Sequence, residues 1–406
     1  MAASDEDWGW ASDYADISGQ VAIVGVGESD HSKASGRRTT EIVGQAVERA
    51  LADAGLVPTD IDGLMYVPLP EQFDAAAFHA YFGTSHDLWI STEGGGMTGA
   101  AIAPYAAAAA LREGRATHIL NTFGVAWATQ RSEMVGGPGE AHANDRFKRS
   151  LELPFGWFPQ PVYFATIARR HMHEYGTTET QLGAIAVACR RHANLTPGAV
   201  MHDRTLTIDD YLASPKFVAP FRKEDCCLIS DGGGAYIMTT AERAHDRPKP
   251  VVEVAGVGLG HSVTGVHWAE QPAFTSTPQV FAAPTAFAMA GLSPAEVDVY
   301  TCYDPFTIVT LMQIEDSGFC EKGEGGPFVA SHDGQALQFD RGGLPTNTHG
   351  GLLSHAYVLG IAHVVEVVRQ LRHEAAAQVP GAQVGVYGGY TGPQAATLVL
   401  RRAGGR

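Results

Sequence analysis

The chain carries one stretch of sequence twice, and this restricts its fold more than any other feature. Ala54-Gly55-Leu56-Val57-Pro58-Thr59-Asp60-Ile61-Asp62 returns as Ala290-Gly291-Leu292-Ser293-Pro294-Ala295-Glu296-Val297-Asp298. Upstream, Val21-Ala22-Ile23-Val24-Gly25-Val26-Gly27 is echoed by Val254-Ala255-Gly256-Val257-Gly258. Each copy reads as a buried strand ending in glycines, then a helix, a glycine stop, a proline turn and a new strand. In the first copy the helix is predicted over Thr39–Ala54, with Ile42, Val43, Ala46, Val47 and Ala50 at helical spacing, Thr39 as N-cap and Gly55 as stop. The following strand is predicted over Ile61–Val67.

A third correspondence extends the pattern. Gly94-Gly95-Gly96-Met97-Thr98-Gly99 opens an Ala-rich helix to Arg112, followed by a strand over Thr117–Phe123. Gly350-Gly351-Leu352 opens a helix to about His373, followed by a strand over Gln383–Tyr387. A repeat only two copies deep is not a solenoid. It implies two similar α/β halves, 20–245 and 250–403, packed as a pseudo-dimer, with an acidic flexible tail over 1–19. The first half is longer by an inserted cap over 124–230, with helices predicted at Pro161–Tyr175 and Thr178–Ala193; the chain returns to the core through a strand over Ala235–Thr239.

Charge narrows the partners. Lys and Arg number 28 against 44 Asp and Glu, a net charge of −16 over 406 residues, and no basic cluster is long enough to track a nucleic acid or an anionic membrane. The longest apolar stretch, Ala100–Leu111, contains Pro104 and is too short to span a bilayer. The acidic N-terminus lacks the basic and apolar regions of a secretory signal. Five sparse cysteines (Cys189, Cys226, Cys227, Cys302, Cys320) suit a reducing cytoplasm rather than a disulfide framework.

Several chemistries fail on motif grounds. Gly25-Val26-Gly27 lacks the third glycine of a dinucleotide site, and no G-x-S-x-G elbow is present. His171 and His173 have no third ligand at metal spacing and read as exposed helical histidines, so no metal site is predicted. Three stretches remain: Cys302-Tyr303-Asp304-Pro305-Phe306-Thr307; Asn347-Thr348-His349-Gly350-Gly351-Leu352-Leu353-Ser354-His355-Ala356-Tyr357-Val358-Leu359-Gly360; and Tyr387-Gly388-Gly389-Tyr390-Thr391-Gly392, read as a glycine turn. Lys33, Lys148, Lys216, Lys223, Lys249 and Lys322 all lie outside them, which disfavours Schiff-base chemistry.

The order and spacing of these stretches, from residue 20 onward, resemble the thiolase superfamily, most closely its sterol-carrier-protein-X branch. Thiolases carry N-E-A-F or H-E-A-F, then N-x-x-G-G-x-x-x-x-G-H-P-x-G, then C-x-G-G-G-x-G. They also carry a nucleophilic cysteine at the start of the first-half glycine helix. Here those positions hold Tyr303, Tyr357, Val386 and, for the nucleophile, about Met97. The resemblance implies the α/β thiolase fold, two pseudo-symmetric halves forming a layered αβαβα core with an inserted cap. Without a thiol no acyl-enzyme can form, so thiolysis and Claisen condensation are excluded.

Breaking a carbon–carbon bond beta to a thioester needs no covalent intermediate when the beta carbon bears a hydroxyl. A base takes the hydroxyl proton, a ketone forms, and an acid protonates the departing enolate. The tyrosine variant resembles the thiolase-like steroid side-chain aldolases, in which residues matching Tyr303 and Tyr357 are the proposed acid/base pair. That resemblance implies retro-aldol cleavage of a β-hydroxyacyl-CoA to a ketosteroid and a short acyl-CoA. Tyr357 is assigned as base, its phenolate favoured by the Gly350-Gly351 helix N-terminus, and Tyr303 as acid; spacing leaves the two roles exchangeable. Backbone at Met97 and Gly388 is the expected oxyanion donor. Asp304 either orients Tyr303 or caps a helix, His349 contacts substrate and His355 gives structural support. The resemblance further implies no cofactor in this chain beyond the CoA thioester substrate. It also implies a homodimer through the thiolase core, and a small OB-fold/zinc-ribbon partner that carries the zinc and completes a heterotetramer. The competing reading is an inactive thiolase homologue that binds acyl-CoA or scaffolds a partner.

Overall fold

The computed structural model describes residues 8–69, 71–130, 146, 148–157, 159–247, 249–264 and 271–404. Among the described residues there are twelve strands: β1 Gly9–Ala11, β2 Val21–Glu28, β3 Gly63–Met65, β4 Trp89–Ser91, β5 Ile119–Ala126, β6 Lys216–Val218, β7 Phe221–Arg222, β8 Asp231–Thr240, β9 Val252–Ser262, β10 Val299–Cys302, β11 Val384–Tyr390 and β12 Gln394–Arg402. The helices that matter for the site are α1 Thr39–Ala54, α2 Thr98–Arg112, α3 Gln160–Tyr175, α4 Glu179–Leu195, α5 Gln279–Ala290, α6 Thr307–Asp316, α7 Gly351–Ser354 and α8 Ile361–Arg372.

The strands run β4-β3-β5-β8-β2-β9-β12-β11-β10, with β1 added on β9 and β6-β7 forming a separate hairpin. Reading outward from the β2–β9 seam, each side is antiparallel, antiparallel, then parallel: β2-β8-β5-β3 on one side and β9-β12-β11-β10 on the other. The seam is narrow, pairing Ala22 with Glu253 and Ile23 with Val252. Beyond it the two sides fold over a shared pair of helices, because α2 and α8 each touch strands of both sides. With α1 outside the first half and α5 outside the second, the layers are αβαβα. Alanine makes the central layer workable: Ala100, Ala101, Ala103, Ala107, Ala108 and Ala110 of α2 are all buried, so strands approach one helix from two sides.

The repeated glycines are spacers for close packing. A Cβ on Gly27 would stand 2.3 Å from the Ala46 carbonyl oxygen of α1, and one on Gly258 would stand 2.0 Å from the Ala282 carbonyl oxygen of α5. Gly55 and Gly291 end the equivalent helices in the left-handed conformation, at φ 65° and 66°.

Several expectations change. Residues 8–19 are not a flexible tail: β1 pairs with β9, while Trp8 and Ile17 are buried, two apolar anchors hidden by the acidic composition; residues 1–7 lie outside the described residues. Thr39 is not the N-cap of α1; Arg38 holds that place and its N–H donates to the Glu41 carboxylate at 2.8 Å. The helix predicted from Gly350 to about His373 is two helices, broken over residues 355–360. Gly388-Gly389-Tyr390 is strand rather than turn. Between β5 and β8, in the stretch expected to form a cap, α3 and α4 pack against α6 of the second half, and α4 also packs against α7. Residues 131–145 of that stretch lie outside the described residues.

Candidate active site

Tyr303 follows β10 directly. Its N–H donates to the Gly388 carbonyl at 2.8 Å, and the Gln313 side-chain amide donates to its carbonyl at 2.7 Å, so the backbone is fixed on both sides. Phe306 anchors the same turn by stacking on Phe164 of α3 at 4.5 Å between ring centroids and on Phe221 of β7 at 5.6 Å. Tyr357 sits in the break between α7 and α8. Its N–H donates to Ser230 Oγ at 2.8 Å, and its ring lies 5.5 Å from that of Trp127. The two phenol oxygens meet at 3.4 Å. Both tyrosines line a cavity of about 560 Å³ together with Met97, Phe123, Trp127 and Leu359, and with the glutamines Gln72, Gln130 and Gln160.

Asp304 is the strut behind this pair. Leu352 N–H donates to its Oδ1 at 2.8 Å and Leu353 N–H to its Oδ2 at 3.4 Å, so it caps the N-terminus of α7 from another part of the chain. His363 Nε2 completes the cluster, 3.0 Å from Oδ1, with both side chains fully buried. The glycine pair makes room for this: a Cβ on Gly351 would stand 2.0 Å from Asp304 Oδ2, and Gly350 and Gly351 have φ of 112° and 61°.

Electrostatics overturn one expectation. Burial raises both phenols above their ordinary value, and the neighbouring Tyr357 raises Tyr303 further. The α7 N-terminus cannot favour a Tyr357 phenolate, because α7 ends at Ser354 and its N-terminal N–H groups are directed at Asp304. Beside the tyrosines, burial and the Asp304 charge push the Cys227 thiol up to about 12, so it is no latent thiolate.

The remaining site residues separate. Met97 lines the cavity at the N-terminus of α2 with φ 48°, and its carbonyl accepts from Tyr387 Oη at 2.9 Å. Gly388 does not line the cavity; its carbonyl is spent on Tyr303, and a Cβ there would meet Tyr300 Oη at 2.7 Å on another side. His349 does not line the cavity either; it is buried against His355 and His363, at ring separations of 5.1 and 4.7 Å. His355 Nε2 is paired with Glu28 at 2.9 Å. His171 is not exposed: it is fully buried between Thr177 Oγ1 at 2.7 Å and Glu315 Oε2 at 3.1 Å. Sequence reasoning missed Trp127, Ser230 and the glutamines, which carry no motif: Gln72, Trp127, Gln130 and Ser230 sit in connecting segments and Gln160 opens α3.

Comparison with known proteins places the chain in a family. Residues 260–402 match the family described as Thiolase C-terminal domain-like. The chain is 36% identical over 394 residues to the 17-hydroxy-3-oxo-4-pregnene-20-carboxyl-CoA lyase of Mycobacterium tuberculosis, covering 95% of this chain and 100% of that protein. It is 34% identical to the steroid side-chain-cleaving aldolase of Thermomonospora curvata, covering 88% of this chain and 91% of the other. Among solved structures it superposes on the Ltp2-ChsH2(DUF35) aldolase with a TM-score of 0.85 at 32% identity, covering 97% of this chain and all of that one.

Proposed function

This chain belongs to the thiolase superfamily, among its steroid side-chain-cleaving aldolases, and on that premise we propose that it cleaves a β-hydroxyacyl-CoA by a retro-aldol reaction. The substrate is a steroid whose side-chain thioester has a hydroxyl on its beta carbon, as in the lyase relative's name. The products are a ketosteroid and a short acyl-CoA. The chain is an aldolase, a carbon–carbon lyase. The inactive-scaffold reading is disfavoured by relatives named for lyase and aldolase activities.

The observation that carries the mechanism is the 3.4 Å contact between the Tyr303 and Tyr357 hydroxyls on one cavity wall. Since burial keeps both phenols protonated, a proton wire fits better than a standing phenolate. The substrate hydroxyl proton passes to Tyr357, the proton of Tyr357 to Tyr303, and that of Tyr303 to the enolate carbon. The C–C electron pair becomes the enolate, the O–H pair becomes the ketone π bond, and both tyrosines end neutral. Met97 backbone at the start of α2, where first-turn N–H groups lack helical partners, is the donor proposed for the enolate oxygen. A neighbouring cavity of about 900 Å³ is lined by Lys33, Arg190, Arg204 and Lys223 against Asp203 and Glu224, a cationic excess suited to the phosphates of CoA.

The Ltp2-ChsH2(DUF35) aldolase is named as a pair of proteins. By that likeness we propose a partner subunit for this chain. That the partner is a small OB-fold/zinc-ribbon protein holding the zinc, and that a homodimer through the thiolase core makes the assembly a heterotetramer, is proposed from the resemblance to the steroid side-chain aldolases. CoA-ester chemistry suits the cytoplasm, and no helix among the described residues is long and apolar enough to cross a membrane. The test is product analysis by mass spectrometry on a 17-hydroxysteroid 20-carboxyl-CoA, with and without the partner. Ketosteroid formation that survives Tyr303→Phe and Tyr357→Phe would refute the tyrosine assignment.

A further inference from the structure

Away from the tyrosine cavity, the end of β2, the loop after it and the segment just before Tyr357 converge on a second cluster. Glu28, His31 and His355 each present a ligating atom, and the three atoms lie within 4.8 Å of one another. Glu28 Oε1 is the hub, 2.9 Å from His355 Nε2 and 3.8 Å from His31 Nε2. The His31 side chain is only 3% exposed, yet its Nε2 has no hydrogen-bond partner. A buried ring nitrogen without a partner is costly and calls for an explanation.

We propose that Glu28, His31 and His355 bind one divalent transition-metal ion of the zinc class, which ties the segment carrying Tyr357 to the end of β2. Two imidazoles and a carboxylate are a borderline ligand set that suits zinc or cobalt and not the oxygen-only shells of calcium and magnesium. Ligand atoms around a tetrahedral zinc stand about 3.3 Å apart, so closing the triad requires shifts of about 1 Å or less. His31 is held for the purpose: its ring lies against Gly232, where a Cβ would come within 2.6 Å of Cδ2, and edge-on to His355 at 4.6 Å. The carboxylate is oriented too, since Arg369 pairs with Oε2 and leaves Oε1 facing the imidazoles. A cavity of about 420 Å³ lined by all three residues, with Asp30 and Arg49, gives the ion a way in and room for a water as fourth ligand. The His355 Nε2 proton now shared with Glu28 is displaced on binding and moves to Nδ1 or to solvent. The Arg369 charge, already paired with Glu28, opposes the ion and weakens its binding.

The test uses the full chain, stripped with a chelator and titrated with cobalt(II) chloride, so it is read without substrate and stands or falls independently of the retro-aldol reading. The expected result is one cobalt per chain with visible d–d absorption of a four-coordinate N/O site, and at least a tenfold loss of affinity in His31→Ala and Glu28→Gln. Exposed His173 serves as control, and His173→Ala is expected to bind like the parent. Saturating zinc should raise the Tm of the parent and not of His31→Ala. If His31→Ala does not fold, His31→Asn takes its place. Absence of saturable cobalt binding up to millimolar concentration, or binding that His31 substitution leaves intact, overturns the proposal.

Discussion

The chemistry of a phenol depends on where it is buried, and here burial sets what each tyrosine can do. Tyr303→Phe and Tyr357→Phe each remove one oxygen from the proposed two-member wire while preserving the ring. Each should lower kcat by about 10²–10⁴-fold with the circular dichroism spectrum unchanged. Because both phenols titrate above their ordinary value, kcat/KM should show no rising limb that depends on either tyrosine below about pH 10. A phenolate base would produce such a limb, and comparing the pH–rate profiles of the parent and the Phe variants separates the two. The positions of these tyrosines were legible from the spacing of the thiolase motifs. Their protonation state was not, since it depends on residues such as Trp127 and Cys227 that come from other parts of the chain.

At the scale of elements, the break between α7 and α8 turns Tyr357 toward the cavity, and Asp304 fixes where α7 begins. Gly351→Ala would drive a Cβ into the Asp304 carboxylate at a left-handed backbone position. It should destabilise the protein by about 1–3 kcal/mol, read by urea denaturation, and lower kcat by displacing Tyr357. Glu315 of α6 makes a second junction, accepting from Gly323 and Gly325 N–H at 3.1 and 2.9 Å and pairing with His171 of α3 and Lys322. Burial pushes the Glu315 carboxyl up, but His171 and Lys322 outweigh it and hold the group below its ordinary value. Its contribution is therefore complete above the unfolded-state value near 4.3 and is lost as pH falls through the lower folded value. Glu315→Gln should cost about 3 kcal/mol at pH 7, and the gap from the parent should shrink on acidification in denaturation curves taken at each pH. The repeat predicted α1 and the glycine stops, because their signals are local. It did not predict the α7–α8 break, which is made by contacts with Asp304 and Ser230 more than 40 residues away.

For the whole molecule, α2 and α8 form one layer between two sets of strands, so neither half contains a complete core. The strand seam between the halves is only two residue pairs wide, which places the cohesion in shared helices rather than in the sheet. Residues 20–245 produced alone should bind ANS and lack a cooperative thermal transition, whereas the full chain should unfold in one. A soluble, cooperatively melting 20–245 fragment would show that the halves are independent domains.

The sequence by itself determined the duplicated βα pattern, the absence of cysteine at the positions read as catalytic in thiolases and the presence of Tyr303 and Tyr357 at two of them, because these depend on local spacing and residue identity. Only the tertiary structure decided that the tyrosines meet, that Gly388 holds Tyr303 instead of facing the cavity, and that His349 packs among buried histidines outside the lining of the tyrosine cavity. It also brought Glu28, His31 and His355 together across more than 300 residues. The tyrosine and Gly388 contacts join stretches of the second half 54 and 85 residues apart, and those of His349 also stay within that half. The Glu28 cluster alone crosses between the halves; neither kind of distance is encoded in any single stretch of the chain.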